Sequence, residues 1–353
     1  MSVYIQLLTI LNVSLPSVSF LAYGIGLYAF GPFVNKLVQL HQRKHVCMAA
    51  CVSLVLLILV YWQILVFLPK WTVVVMAFLL GAFFGQAQMI LMSTLVIDIS
   101  ESFMRTEANY AANWFSRLAL ALGPILFYTN LFNLSHYQHY FWYSIGCGIA
   151  ALVLLSVVRI PFKAPDEGVT TVSLDRFFLP SGKWLFANLV LVTAIIGLLF
   201  TLPLSVLFFV MLLLGFIVAV IAEKFVFADA DLKSEAITGL ILIGMALLMM
   251  TGSTLPVVEY VAPAFIGLGT GIIGSRFLLF FIKLSRHCQR GTSQSTFFLA
   301  WESGIAVGMF FGCRLMGADT GTPMLYCCLA LTVISLLFYN FFVHSWYVNN
   351  KNR

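Results

Sequence analysis

Apolar runs of 18 residues or more recur along this whole chain, and they restrict its fold more than any motif does. Each run, wound as a helix, is long enough for about 30 Å of hydrocarbon. Composition points the same way: 61% of the residues are hydrophobic and 9% charged, and mean hydropathy is +1.01. Soluble chains average about 25% charged residues. The expectation is an all-α polytopic membrane protein with no soluble domain between its spans. The seven cysteines lie in spans or at their ends. Their spacing matches neither a disulfide framework nor a metal site, so no metal or cofactor is expected.

In chain order, residues 1–13 read as the remnant of a first helix, incomplete at its start, ending at the turn Ser14-Leu15-Pro16-Ser17. Further spans follow at roughly 16–36, 47–68, 72–95, 109–129 and 141–159. The longest polar stretch, 161–183, carries Pro161, Pro165 and Pro180 and divides the chain almost in half. Residues 184–222 hold two spans folded about Thr201-Leu202-Pro203, and four more run at roughly 236–252, 257–282, 294–316 and 324–345. The expected domains are residues 1–160, a linker at 161–183, and residues 184–353. Folded this way, the loops of one side hold 15 of the 19 Lys and Arg residues, and the other side holds only Lys70. Such asymmetry marks the basic side as cytoplasmic, with linker and C-terminus there, in a cell (inner) membrane. It also accounts for the net charge of +6 without nucleic acid as a partner.

Two segments about 185 residues apart share a layout. Twelve residues after Arg105 stands Arg117, and twelve after Arg290 stands Glu302. Eighteen residues after each loop arginine stands a glycine, Gly123 or Gly308. A charge at mid-span costs about 2.5–3.5 kcal/mol on insertion scales, so it faces a cavity or a partner. At 100° per residue, Gly308 and Gly312 lie roughly 240–280° around the helix from Glu302. Gly304, Gly308 and Gly312, like Gly123-Pro124, are therefore expected to pack against neighbouring helices. Arg117 and Glu302 are expected to line a path between the halves, with Gln86, Gln88, Asn113, Trp114 and Trp301 as further polar or aromatic contacts. Helix-to-helix hydrogen bonding is an equal alternative for Gln86, Gln88, Asn113 and Trp114.

Other charges have plainer readings. Arg276 is expected to snorkel to the basic surface. Asp98, Glu101, Arg105 and Glu107 form a cluster able to latch onto the loop from Lys283 to Arg290. Gly269-Thr-Gly271-Ile-Ile-Gly274 fits a dinucleotide pattern but lies inside an apolar helix, so it is not a nucleotide site. No phosphate-binding lysine loop, HExxH pair or nucleophile elbow is present, and an enzyme is not expected.

Two six-helix bundles joined by a cytoplasmic linker resemble the major facilitator superfamily. Gly31-Pro32-Phe33-Val34-Asn35-Lys36 followed by Arg43-Lys44 is similar to that family's loop between spans two and three, with Asn35 in place of its aspartate. Leu122-Gly123-Pro124, the Arg105 loop and Arg290-Gly291 resemble further family features. The resemblance implies two pseudo-symmetric bundles and a cytoplasmic gate at Gly31, Asn35, Arg43, Lys44, Asp98, Glu101, Arg105 and Arg290. It implies a monomeric secondary transporter that moves a small solute by alternating access, with efflux as one direction. Glu302 is the candidate site for coupling to protons. A transport-incompetent membrane sensor or scaffold stays open beside this reading, because residues 1–13 make an incomplete first helix and Asn35 replaces an acid.

Overall fold

The computed structural model describes residues 16–64, 70–101, 104–129, 138–160, 169–226, 231–315 and 321–351. The expected first-helix remnant at 1–13 and the first part of the linker, 161–168, lie outside these residues. All the described regular structure is helical. Helix α1 (Pro16–Gly26) and α2 (Gly31–Leu40) form an apolar pair bent by 41°, together long enough for one span. Then come α3 (Arg43–Ile64), α4 (Lys70–Ile90), α5 (Arg105–Tyr128) and α6 (Gln138–Val157). The second half contains α7 (Lys183–Leu199), α8 (Val206–Phe225), α9 (Leu232–Gly252), α10 (Pro256–Leu284), α11 (Arg290–Leu315) and α12 (Gly321–Phe338).

Local sequence explains several boundaries. The Ser205 side chain caps α8 by accepting from the Phe208 N–H, and Pro256 opens α10 where no intrahelical donor is needed. Helix α4 does not end near residue 95. It opens into a wider π turn at Leu91–Leu95 and continues to Ile99. Among the described residues, eight helices are long and apolar enough to cross a membrane, or nine with the bent pair. Helix α5 carries Arg105, Glu107 and Arg117, and α6 is short, yet both pack beside these spans.

The helix pairings repeat between the halves. In the first, α1 packs on α4, and α3 packs on both α4 and α6. In the second, α8 packs on α10, and α9 packs on both α10 and α12. Two contacts cross the middle in reciprocal fashion, α1 with α11 and α5 with α8. The result is a multi-pass membrane protein of two related helical halves.

In the second half α7 packs closely on α11. A Cβ on Gly304 would meet Thr193, one on Gly308 would strike the Ala194 carbonyl and lie 2.9 Å from the Gly197 Cα, and one on Gly312 would meet Thr201. These glycines form a smooth stripe that lets two backbones touch, which is how helices associate in lipid. Glu302 and the stripe occupy different faces of α11. Gly308→Val is therefore expected to destabilise the protein by about 1–3 kcal/mol through overpacking, read as a lower melting temperature in detergent. Gly252→Ala, where the added methyl meets nothing within 4 Å, is expected to stay within about 0.5 kcal/mol of the parent.

Candidate functional site

Arg117 lies in the middle of α5 with only 1% of its surface exposed. Its partners are on the other half of the molecule. One guanidinium nitrogen donates to the Ser275 hydroxyl at 2.6 Å and approaches the Gly271 carbonyl at 3.4 Å, both on α10. The Trp114 ring lies 4.6 Å from the guanidinium carbon, and the Trp301 ring 5.7 Å. Tyr110, two turns before Arg117, donates to the Ser275 carbonyl at 3.1 Å. Space for these groups comes from the glycine pattern of α10. A Cβ on Gly271 would sit 3.1 Å from Trp114, and one on Gly274 would sit 2.8 Å from the Arg117 Nε. The motif excluded as a nucleotide site is a seat for an arginine.

Glu302 is 4% exposed and, among the described residues, takes part in no ion pair; its Oε2 has no hydrogen-bond partner. It borders a groove of about 390 Å3 between α4, α5 and α11. Phe84, Gln88, Met92, Phe115, Ser116 and Trp301 form much of the remaining wall. Arg117 and Glu302 thus occupy equivalent places in the two halves but do not meet: one is pinned to α10 and the other faces the groove. Gln86 is buried outside the groove. Asn113 donates to the Asn109 carbonyl one turn back in its own helix. Gly123 and Pro124 are buried within α5.

On the basic face the halves meet through the linker's end. Lys36 donates to the Thr171 hydroxyl at 2.9 Å, and the Ser173 N–H to the Pro32 carbonyl at 3.0 Å. Phe177 fills the space beside Gly31, edge-on to Tyr28. From the same segment the Arg176 and Leu179 N–H groups donate to the hydroxyls of Thr292 and Thr296 on α11. Residues 171–179 therefore strap α2 to α11.

The acid cluster does not latch as expected. Asp98 pairs with Arg43 of its own half, not with the loop from Lys283 to Arg290; it lies on the last turn of α4, beyond the π turn at Leu91–Leu95. Lys44 donates to the Ser156 and Val158 carbonyls at the end of α6. Glu101 is exposed, and Asn35 is half-buried with its Oδ1 unpartnered. Arg105 and Arg290 both border a small chamber between α4, α5 and α11. Arg276 does not snorkel. It is 8% exposed, paired with Glu235 of α9 and, at 3.9 Å, with Glu223 of α8. Glu235 is 1% exposed, so a second acid is buried as deeply as Glu302. Ser275, Glu235, Asp175 and Phe177 had no distinguishing signal in the sequence. Each is an ordinary residue made important by what lies across from it.

Neither a family model nor a curated protein sequence matches the chain. The fold is similar to the solved structure of a bacterial homologue of the iron transporter ferroportin in an outward-facing state. The TM-score is 0.65 at 15% identity, covering 97% of this chain and 93% of that one. The likeness shows a shared fold, that of a polytopic all-helical membrane protein. At this identity it carries over no residue's role.

A buried ion pair that loses one partner leaves the other charge stranded in low dielectric. Arg276→Gln is accordingly expected to cost about 3–5 kcal/mol. Combining it with Glu235→Gln should recover much of that loss in detergent melts.

Proposed function

We propose that this chain is a secondary transporter moving a small solute across a cell membrane by alternating access, with protons as the coupling ion. The observation carrying this reading is Glu302, a buried carboxylate without a partner among the described residues, set in a groove where helices of both halves converge. The resemblance to the major facilitator superfamily supports it, since such folds place substrate and coupling sites where two repeats meet. In this proposal the halves are residues 1–160 and 184–353, the linker is 161–183, the basic face is cytoplasmic and the protein works as a monomer. Efflux is one direction in which such a cycle can run.

The proton's role follows from solvation. An ionised carboxylate in an apolar, aromatic-walled groove needs water or a cation around it. When the halves close over the groove, that solvation is withdrawn. Glu302 then crosses either as the neutral acid or beside a cationic solute. Arg117 cannot neutralise it in this arrangement, because Ser275 and Trp114 hold the guanidinium elsewhere. Each closure without a cation therefore takes up a proton on one side, and each opening on the other side releases it.

Glu302→Gln mimics the neutral acid permanently. In proteoliposomes it is expected to abolish pH-gradient-driven accumulation while solute exchange at equal pH continues. Accumulation unchanged in this variant would remove Glu302 from the coupling step.

A further inference from the structure

We propose that the chamber between the basic-face ends of α5 and α11 binds a phosphate-type dianion that bridges the two halves. This assignment is independent of the transport reading and of Glu302. The chamber has a volume of about 140 Å3. With a share of about 30 Å3 per water in the liquid, that is room for a few waters or one tetrahedral oxyanion.

Charge bookkeeping selects the ligand. Four arginines and two aspartates line the chamber. Arg43 is neutralised by Asp98, and Arg176 lies 4.0 Å from Asp175. Asp175 also accepts from the Thr292 hydroxyl at 2.9 Å. Arg105 and Arg290 remain, and neither has an ion pair among the described residues. Their two positive charges match a dianion. Each is the first residue of a long helix, 24 residues in α5 and 26 in α11, so each stands at the positive end of a helix dipole.

A second observation also points to a ligand. Ser93 and Asn109 line the same chamber, 4% and 3% exposed, and the Ser93 hydroxyl and the Asn109 side-chain oxygen have no hydrogen-bond partner among the described residues. Buried polar atoms are otherwise nearly always satisfied. A phosphate accepts from the hydroxyl, and its protonated form donates to the amide oxygen. Glu101 and Glu107 beside Arg105 are exposed and do not line the chamber. Because Arg105 belongs to the first half and Arg290 to the second, a bound dianion holds the basic face shut.

Cys288 also lines the chamber and is exposed, so it reports occupancy with the chamber unaltered. The purified full-length protein in lipid-free micelles is labelled with a maleimide, with cysteines introduced at Asp231 and Lys351, exposed at helix ends away from the chamber, as references. Sodium phosphate is expected to slow labelling of Cys288 saturably and of neither reference, where sodium chloride at matched ionic strength does not. Arg105→Gln and Arg290→Gln should each weaken this protection roughly tenfold or more, the scale of one lost charge-assisted contact. Arg105→Lys should keep part of it, and Lys224→Gln, in another basic loop, all of it. A parallel arm uses lipid discs with and without phosphatidate. Protection by phosphate in micelles assigns the free ion, and protection only with phosphatidate assigns a lipid headgroup. No protection in either arm, or equal protection by chloride, overturns the site.

Discussion

A guanidinium held away from water inside a bilayer must find its acceptors within the protein, and Arg117 finds them across the midline. Everything around it follows from that demand. Ser275 and the Gly271 carbonyl accept its protons, and Trp114 lies close enough for a cation–π contact. Gly271 and Gly274 keep the α10 surface bare enough for both side chains to enter. The same insertion brings Tyr110 onto the Ser275 carbonyl and α5 against α8. One buried charge thus ties the two halves together at mid-depth, and Glu302 at the equivalent place is left facing the groove.

This inversion of charge recurs. Where α3 meets α4 the pair is Arg43 with Asp98, basic on the earlier helix and acidic on the later one. Where α9 meets α10 the pair is Glu235 with Arg276, with the signs exchanged. Both pairs sit near the basic face and join the same two helices of each half, so the fold needs an ion pair there but not a particular polarity. Arg117 and Glu302 differ in kind. They are unlike charges that leave each other alone, so each is free for a separate task.

The apolar helices and the places of the charges within them were legible from hydropathy and helical periodicity. The angle between Glu302 and Gly308 is a property of one helix, and it could be read before any neighbour was known. Partners could not. Arg276 reads as a snorkelling residue because nothing in its own helix marks Glu235, 41 residues earlier, as adjacent. Asp98 seemed directed at the loop before α11 because nothing in its own helix marks Arg43, 55 residues earlier, as adjacent. The glycines of α10 looked like a failed nucleotide motif, although their use is to admit side chains from α5. Periodicity reveals which face a residue occupies; the fold alone reveals what that face meets.

If the halves rock about the tie at Arg117, their two ends must move in opposite senses. Spin labels at Gln42 and Arg286 report the basic face, and labels at Trp71 and Leu255 report the opposite one. All four positions are exposed. Electron–electron distance measurements on both pairs in lipid discs, across a pH series, test this directly. The account predicts two populations at each face, with the basic-face pair closing as the opposite pair opens. Distances that stay fixed at both faces, or that lengthen and shorten together, would contradict it.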